Sequence, residues 1–141
     1  MLEKSKLPPG TQRTLAPVQE RTILFVEDEP LPRQSAAKLL PKSSFSVVEA
    51  GDGTAAVEAT RKHKVSLDIL FLDVTIPGAP SSVVLEEANR LIPGICVIVT
   101  SAYSEAVGAA SLNGQVGHFI RKPYRIGDFI DMVRDFLTLS S

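Results

Sequence analysis

The chain has 141 residues, and 15 Lys and Arg against 16 Asp and Glu give it a formal net charge of −1. That length suits one domain of ordinary size, and the near-balance of charge gives no electrostatic case for direct binding of nucleic acid or of an anionic membrane. The single cysteine, Cys96, excludes an internal disulfide; no apolar run reaches the length of a membrane span, and MLEKSKLPPG lacks the apolar core of a signal peptide, so a cytoplasmic location is expected.

Residues 1–20 contain Pro8, Pro9, Gly10 and Pro17 without helical or strand periodicity, and read as a flexible linker or arm ahead of a folded domain over 21–141. Ile23-Leu24-Phe25-Val26 is a short β-rich run that ends on Glu27-Asp28-Glu29. Pro30 suits the first turn of a helix, where its missing N–H costs nothing. Ala36, Ala37, Leu39 and Leu40 continue that helix, and Pro41 stops it. Phe45 to Val48 reads as a second strand. Gly51-Asp52-Gly53 then turns the chain into a helix running from Thr54 to about His63. Ile69 to Leu72 is a third strand. After Gly78-Ala79-Pro80, Ser81 or Ser82 is expected to cap a helix carrying Val84, Ala88 and Leu91 on one face. Ile95 to Val99 is a fourth strand, within which Cys96 reads as a buried structural thiol. A weak helical stretch over 104–112 and a fifth strand, His118-Phe119-Ile120, follow. The last helix has the clearest pattern, with Ile126, Phe129, Ile130, Val133 and Leu137 spaced three and four apart.

Five rounds of strand then helix make an α/β chain. Apolar strands that do not alternate with polar residues are buried on both faces, so the expectation is a five-stranded parallel sheet with helices on both faces. Ligands in such folds bind at the carboxyl ends of the strands. The first strand ends on Glu27 and Asp28, the third on Asp73, the fourth on Thr100-Ser101, and the fifth runs into Arg121-Lys122-Pro123. The second ends on Glu49-Ala50 and supplies no matching group. Clustered carboxylates repel one another, and a hard divalent cation relieves that conflict. With a Lys and a hydroxyl beside it, such a cation suits the oxygens of a transferring phosphoryl group. Asp73 is the central candidate for a carboxylate nucleophile. Neither His63 nor His118 is well placed as a base.

ILFVEDEP, DILFLDVTIP, VIVTSAY and FIRKPY, in this order and spacing, resemble the receiver domain of bacterial two-component response regulators, over residues 22 to about 138. The resemblance implies a flavodoxin-like (βα)5 fold and a phospho-receiver switch in a phosphorelay. Asp73 would accept a phosphoryl group from a histidine kinase or a histidine phosphotransfer domain. Mg²⁺ (or Mn²⁺) would be held by Glu27, Asp28, Asp73 and the backbone carbonyl of Thr75. Thr100 would be the switch hydroxyl, Lys122 the partner of a phosphoryl oxygen, and Phe119 the aromatic switch residue. The Lys122–Pro123 peptide bond is often cis in this family. A homodimer through the fourth helix, fifth strand and fifth helix is among the partner expectations.

Three departures stand out. Glu27 takes a place where Asp is commoner, PGAPSSVV replaces the usual Asp-Gly after the acceptor loop, and Phe119 lacks a Tyr hydroxyl. Two rival readings belong to other classes. A haloacid-dehalogenase-type phosphatase also places its nucleophile after a strand, but it needs a second Asp two residues on, where this chain has Thr75. A receiver-like binding module that no longer takes phosphate is the other. For the parent protein, the Pro-rich leader and TSAYS…FIRKPYR favour the receiver of a hybrid sensor histidine kinase over a stand-alone regulator.

Overall fold

This computed structural model describes residues 21–103 and 117–140, with side chains through Asp135. The arm at 1–20 and the helix expected at 104–112 lie outside the described residues. The elements are β1 (Thr22–Val26), α1 (Pro30–Leu39), a 3-10 turn (Pro41–Ser43), β2 (Ser46–Ala50), α2 (Gly53–Lys62), β3 (Leu67–Asp73), α3 (Ser81–Leu91), β4 (Cys96–Ser101), β5 (His118–Arg121) and α4 (Ile126–Ser140). The helix α4 is the fifth helical segment of the sequence pattern. All neighbouring strands pair in parallel, in the order β2-β1-β3-β4-β5. That is the flavodoxin-like order, with β3 at the centre.

The alternation of side chains along each strand divides the core in two. Leu24 and Val26 of β1, Leu70 and Leu72 of β3, and Val97 and Val99 of β4 pack with Ala56 of α2 and Val84, Leu85 and Ala88 of α3. Ile23 and Phe25, Ile69 and Phe71, and Ile98 pack on the other face with Ala36 of α1 and Phe129, Ile130 and Val133 of α4. Helices therefore cover both faces, as the continuous apolar strands require. Aromatic rings fill the second layer: Phe25 stacks on Phe71 with centroids 4.4 Å apart, and Phe129 meets Phe71 edge-on at 4.7 Å.

Three local expectations need correction. β2 starts at Ser46 and not at Phe45. Ser44 takes a left-handed φ of 72°, the Phe45 amide donates to the Leu40 carbonyl, and the Phe45 ring drops into the core ahead of the strand. Cys96 is half-buried at the start of β4, where burial pushes its thiol pKa up. Neither Ser81 nor Ser82 caps α3. The N-cap position is Pro80, which has no side-chain donor or acceptor, and Ser81 is the first helical residue. Asp52, by contrast, does cap α2, its Oδ1 accepting from the Ala55 amide at 2.7 Å.

The loop between β3 and α3 lies against the N-terminus of α2. The Gly53 amide donates to the Pro77 carbonyl at 2.9 Å, and the Ala79 amide donates to Thr54 Oγ1 at 3.3 Å. A Cβ at Gly53 would fall 1.7 Å from the Ala79 carbonyl oxygen, so only glycine allows this approach. Gly78, at φ +80°, turns the chain over this contact. No described helix is long and apolar enough to cross a membrane. Gly53→Ala is expected to cost about 1–3 kcal/mol by overpacking a site that cannot relax without moving the loop. Urea unfolding checks this, and an unchanged midpoint would show that the loop gives way freely.

Candidate functional site

The same alternation that splits the core also builds the site. Glu27 continues the Ile23–Phe25 series, Asp73 the Ile69–Phe71 series, and Thr100 follows Ile98 by two residues. All three therefore belong to the sheet face covered by α1 and α4. Register aligns them across the sheet: Val26 pairs with Leu72, Asp73 pairs with Thr100, and the Val74 amide donates to the Thr100 carbonyl at 3.0 Å. Lys122 enters from the end of β5, its amide anchored on the Ser101 carbonyl at 2.9 Å. The Lys122–Pro123 bond is cis, as the resemblance implies.

Glu27 and Asp73 are buried, at 0% and 2% exposure. One ammonium serves both. Lys122 Nζ donates to Asp73 Oδ2 at 2.6 Å and to Glu27 Oε2 at 3.2 Å, and Glu29 Oε1 stands 3.7 Å away on the rim. Burial lowers the Lys122 pKa, but the hydrogen bond and charge of Asp73, with those of Glu27, outweigh it and raise the value overall. Glu27 Oε1 also lies 3.2 Å from Nζ yet makes no hydrogen bond among the described residues. Burial, then the nearby Asp73 carboxylate, pushes the Glu27 pKa up from 4.5 to about 7. Asp73 Oδ1 accepts from the Thr75 amide two residues on, at 3.0 Å.

Asp28 is exposed beside this buried pair. One carboxylate oxygen from each of Glu27, Asp28 and Asp73 lies within 4.8 Å of the others, and these three form an acidic cluster able to hold a cation. The Thr100 hydroxyl is fully buried and has no hydrogen-bond partner among the described residues. Phe119 is half-buried and packs on the opposite layer, against the core shared by α2 and α3, with Val99 as its register partner. The structure therefore brings Glu27, Asp28, Asp73, Thr75 and Lys122 together, puts Thr100 beside Asp73 in register, and sets Phe119 apart from them. Glu49, outside the expected cluster, lies 3.6 Å from Arg33.

Sequence reasoning did not anticipate the contacts of four residues here. Arg33, one turn into α1, donates to the Glu27 carbonyl at 2.8 Å and fixes the end of β1. Tyr124 meets Phe71 edge-on at 5.5 Å, and its buried hydroxyl has no partner among the described residues. Burial, then the charges of Glu27, Asp73 and Glu29, raises its pKa, so the phenol stays a donor. Ser81 turns its hydroxyl back to the carbonyls of Val74 and Asp73. Glu29 occupies the N-cap position of α1 but caps nothing with its side chain, which instead faces Lys122.

Linkage fixes the sign of a pH effect. The folded state holds the Glu27 proton up to about pH 7 and the unfolded state only to about 4.5, so this contribution to stability is complete below about pH 4.5 and is lost as pH rises through about 7. In metal-free buffer the urea midpoint of the wild type should fall relative to that of Glu27→Gln across this window. Parallel profiles for the two proteins would contradict the Glu27 assignment.

Comparison with known proteins places the chain in a family. The family described as response regulator receiver domain matches residues 23–134. The sensor kinase CckA of Brucella abortus (strain 2308) is 29% identical over 117 residues, covering 82% of this chain and 12% of its own length. The transcriptional regulatory protein PdtaR of Mycobacterium tuberculosis (strain CDC 1551 / Oshkosh) is 32% identical over 115 residues, covering 80% of this chain and 55% of its own. The chain thus spans about half or less of the length of these relatives. The crystal structure of the receiver domain from the hybrid histidine kinase CckA superposes with a TM-score of 0.68 at 31% identity, covering 81% of this chain and 96% of that one. On the match over residues 23–134, the chain belongs to the response regulator receiver domain family.

Proposed function

We propose that Asp73 accepts a phosphoryl group from a phosphohistidine on a histidine kinase or histidine phosphotransfer domain, and that the domain signals by changing its surface. The observation that carries this reading is the Asp73 carboxylate, 2% exposed at the end of the central strand, with Lys122 Nζ 2.6 Å from Oδ2. An Asp73 oxygen attacks phosphorus, the P–N bond breaks, and the imidazole nitrogen leaves with the electron pair. Lys122 is already poised where charge on the phosphoryl oxygens develops.

The donor set suits a hard divalent cation, because every side-chain ligand atom is a carboxylate oxygen and Glu27 Oε1 is buried without a hydrogen bond. Glu27, Asp28, Asp73 and the Thr75 carbonyl would hold Mg²⁺ or Mn²⁺, which when bound would offset negative charge on the transferring group. Such an ion would compete with the proton that Glu27 otherwise retains up to about pH 7.

In the switch, the Thr100 hydroxyl, without a partner among the described residues, is a donor available to a phosphoryl oxygen, and Phe119, half-buried on β5, would change its packing. Tyr103, 60% exposed just after β4, supports an interface beside β5 and α4, including a homodimer there; the fourth helix of the expected face lies outside the described residues. Likeness to the CckA receiver supports an origin in a hybrid sensor histidine kinase. A stand-alone regulator is the alternative, and the surrounding reading frame separates the two.

With acetyl phosphate and Mg²⁺, the protein should gain the mass of one phosphoryl group, and Asp73→Asn or chelation of the metal should abolish the gain. Lys122→Ala should slow labelling by about a hundredfold. Equal labelling of Asp73→Asn would move the acceptor elsewhere. Beryllofluoride with Mg²⁺ should shift amide resonances around Thr100 and Phe119 in the wild type but not in Asp73→Asn.

A further inference from the structure

The loop after β3 lacks the Asp-Gly that is usual in this family, and the bonds within it suggest what replaces that motif. The peptide unit between Val74 and Thr75 is held at both ends. Its N–H, on Thr75, donates to Asp73 Oδ1 at 3.0 Å. Its C=O, on Val74, accepts from the Ser81 hydroxyl, whose oxygen also lies 3.3 Å from the Asp73 carbonyl. Ser81 is buried, at 5% exposure, in the first turn of α3. A serine near a helix start usually turns its oxygen onto the helix's own free amides. Here the hydroxyl donates backward into the loop instead.

The far side of the loop is fixed as well, by the Gly53–Pro77 and Thr54–Ala79 hydrogen bonds. The peptide thus links the Asp73 side chain, through the Thr75 N–H, to the start of α3, through Ser81. If it rotated, the Thr75 N–H would leave Oδ1 and the Val74 carbonyl dipole would turn toward the carboxylate. With the peptide held, the two carboxylate oxygens are distinguished: Oδ1 carries a backbone amide and Oδ2 carries Lys122.

We propose that Ser81 is a positioning residue for phosphoryl transfer: its hydroxyl locks the 74–75 peptide so that the Thr75 N–H stays on Asp73 Oδ1. This rests on the reading of Asp73 as the acceptor. The role belongs to this chain's own loop sequence and involves no contact between Ser81 and the transferring group.

The test compares wild type, Ser81→Ala and Ser82→Ala. Ser82 is the next residue of α3, and its hydroxyl is bonded to neither carbonyl. Each protein is labelled with ¹⁵N for amide exchange at Thr75, titrated with Mg²⁺, and phosphorylated with acetyl phosphate at saturating Mg²⁺. One lost hydrogen bond predicts that Ser81→Ala loses about three- to tenfold in Thr75 amide protection and about the same factor in maximal phosphorylation rate. Exchange in the α2 and α4 amides should be unchanged, and Ser82→Ala should match the wild type. Thr75 protection and rate within twofold of wild type in Ser81→Ala would overturn the inference while leaving Asp73 as the acceptor. So would an equal loss in Ser82→Ala, which would mark a general effect at the helix start. A wild type that takes no phosphoryl group would instead overturn the acceptor reading, and this inference with it.

Discussion

Two carboxylates, Glu27 and Asp73, are buried side by side, and one ammonium makes that burial tolerable. Lys122 Nζ reaches Asp73 at 2.6 Å and Glu27 at 3.2 Å. Removing two like charges from water costs far more than one such pair returns unless the remaining lone pairs are also met. The protein meets some of them with backbone amides, from Thr75 to Asp73 and from Glu29 to Glu27. It leaves Glu27 Oε1 without a hydrogen bond among the described residues, and burial, then the neighbouring Asp73 carboxylate, makes the Glu27 proton hard to remove. The site is therefore under electrostatic tension that a cation or a proton can relieve.

That tension is sustained by a stiff scaffold. Phe25, Phe71 and Phe129 interlock directly beneath the site, and Tyr124 closes the same aromatic group from the β5 end. Their packing holds β1, β3 and α4 at fixed separations, so the acidic ends of β1 and β3 cannot spread to ease their repulsion. Away from the site, Glu87 of α3 lies 2.6 Å from Arg61 of α2 and 2.9 Å from Arg90, an exposed ion-pair group that ties the two helices of the other face together. The hydrogen bonds from Arg90, then from Arg61, hold the Glu87 pKa down at about 2. Surface pairs of this kind contribute little each, and the shared apolar layer beneath them contributes most of the helix docking.

The segments around the acceptor divide by stiffness. On the β3 side, the loop is clamped by Gly53, Thr54 and Ser81. On the β4 side, Thr100 carries a buried hydroxyl with no partner among the described residues, and Tyr103 is largely exposed. A switch needs one fixed wall and one that can rearrange, and the asymmetry of the bonding supplies the first of these. On the proposed reading of Asp73 as the acceptor, the fixed wall would hold the carboxylate while a change at the phosphoryl group is felt on the Thr100 side.

The succession of five strands and a parallel sheet covered on both faces were legible in the sequence, because continuous apolar runs separated by helical periodicity admit few other arrangements; the edge strands β2 and β5 are only partly buried. The site residues were legible for a related reason: in a parallel sheet every strand presents its carboxyl end at one edge, so Glu27, Asp28, Asp73, Thr100 and Lys122 could be grouped from their positions alone. What the sequence could not give was which polar group meets which. Ser81 read as a helix cap, yet its hydroxyl turns backward, because Pro80 already occupies the cap position and buried loop carbonyls lie within reach. Cys96 read as buried, yet it sits at the start of its strand, where the cover is incomplete. Arg33, Tyr124 and the close approach of Gly53 to Ala79 depend on contacts between elements far apart in the chain. Periodicity encodes which face a residue takes, and it does so locally. Hydrogen-bond partners and the charge environment of Glu27 depend on distances of a few ångströms across the sheet, which only the folded packing decides.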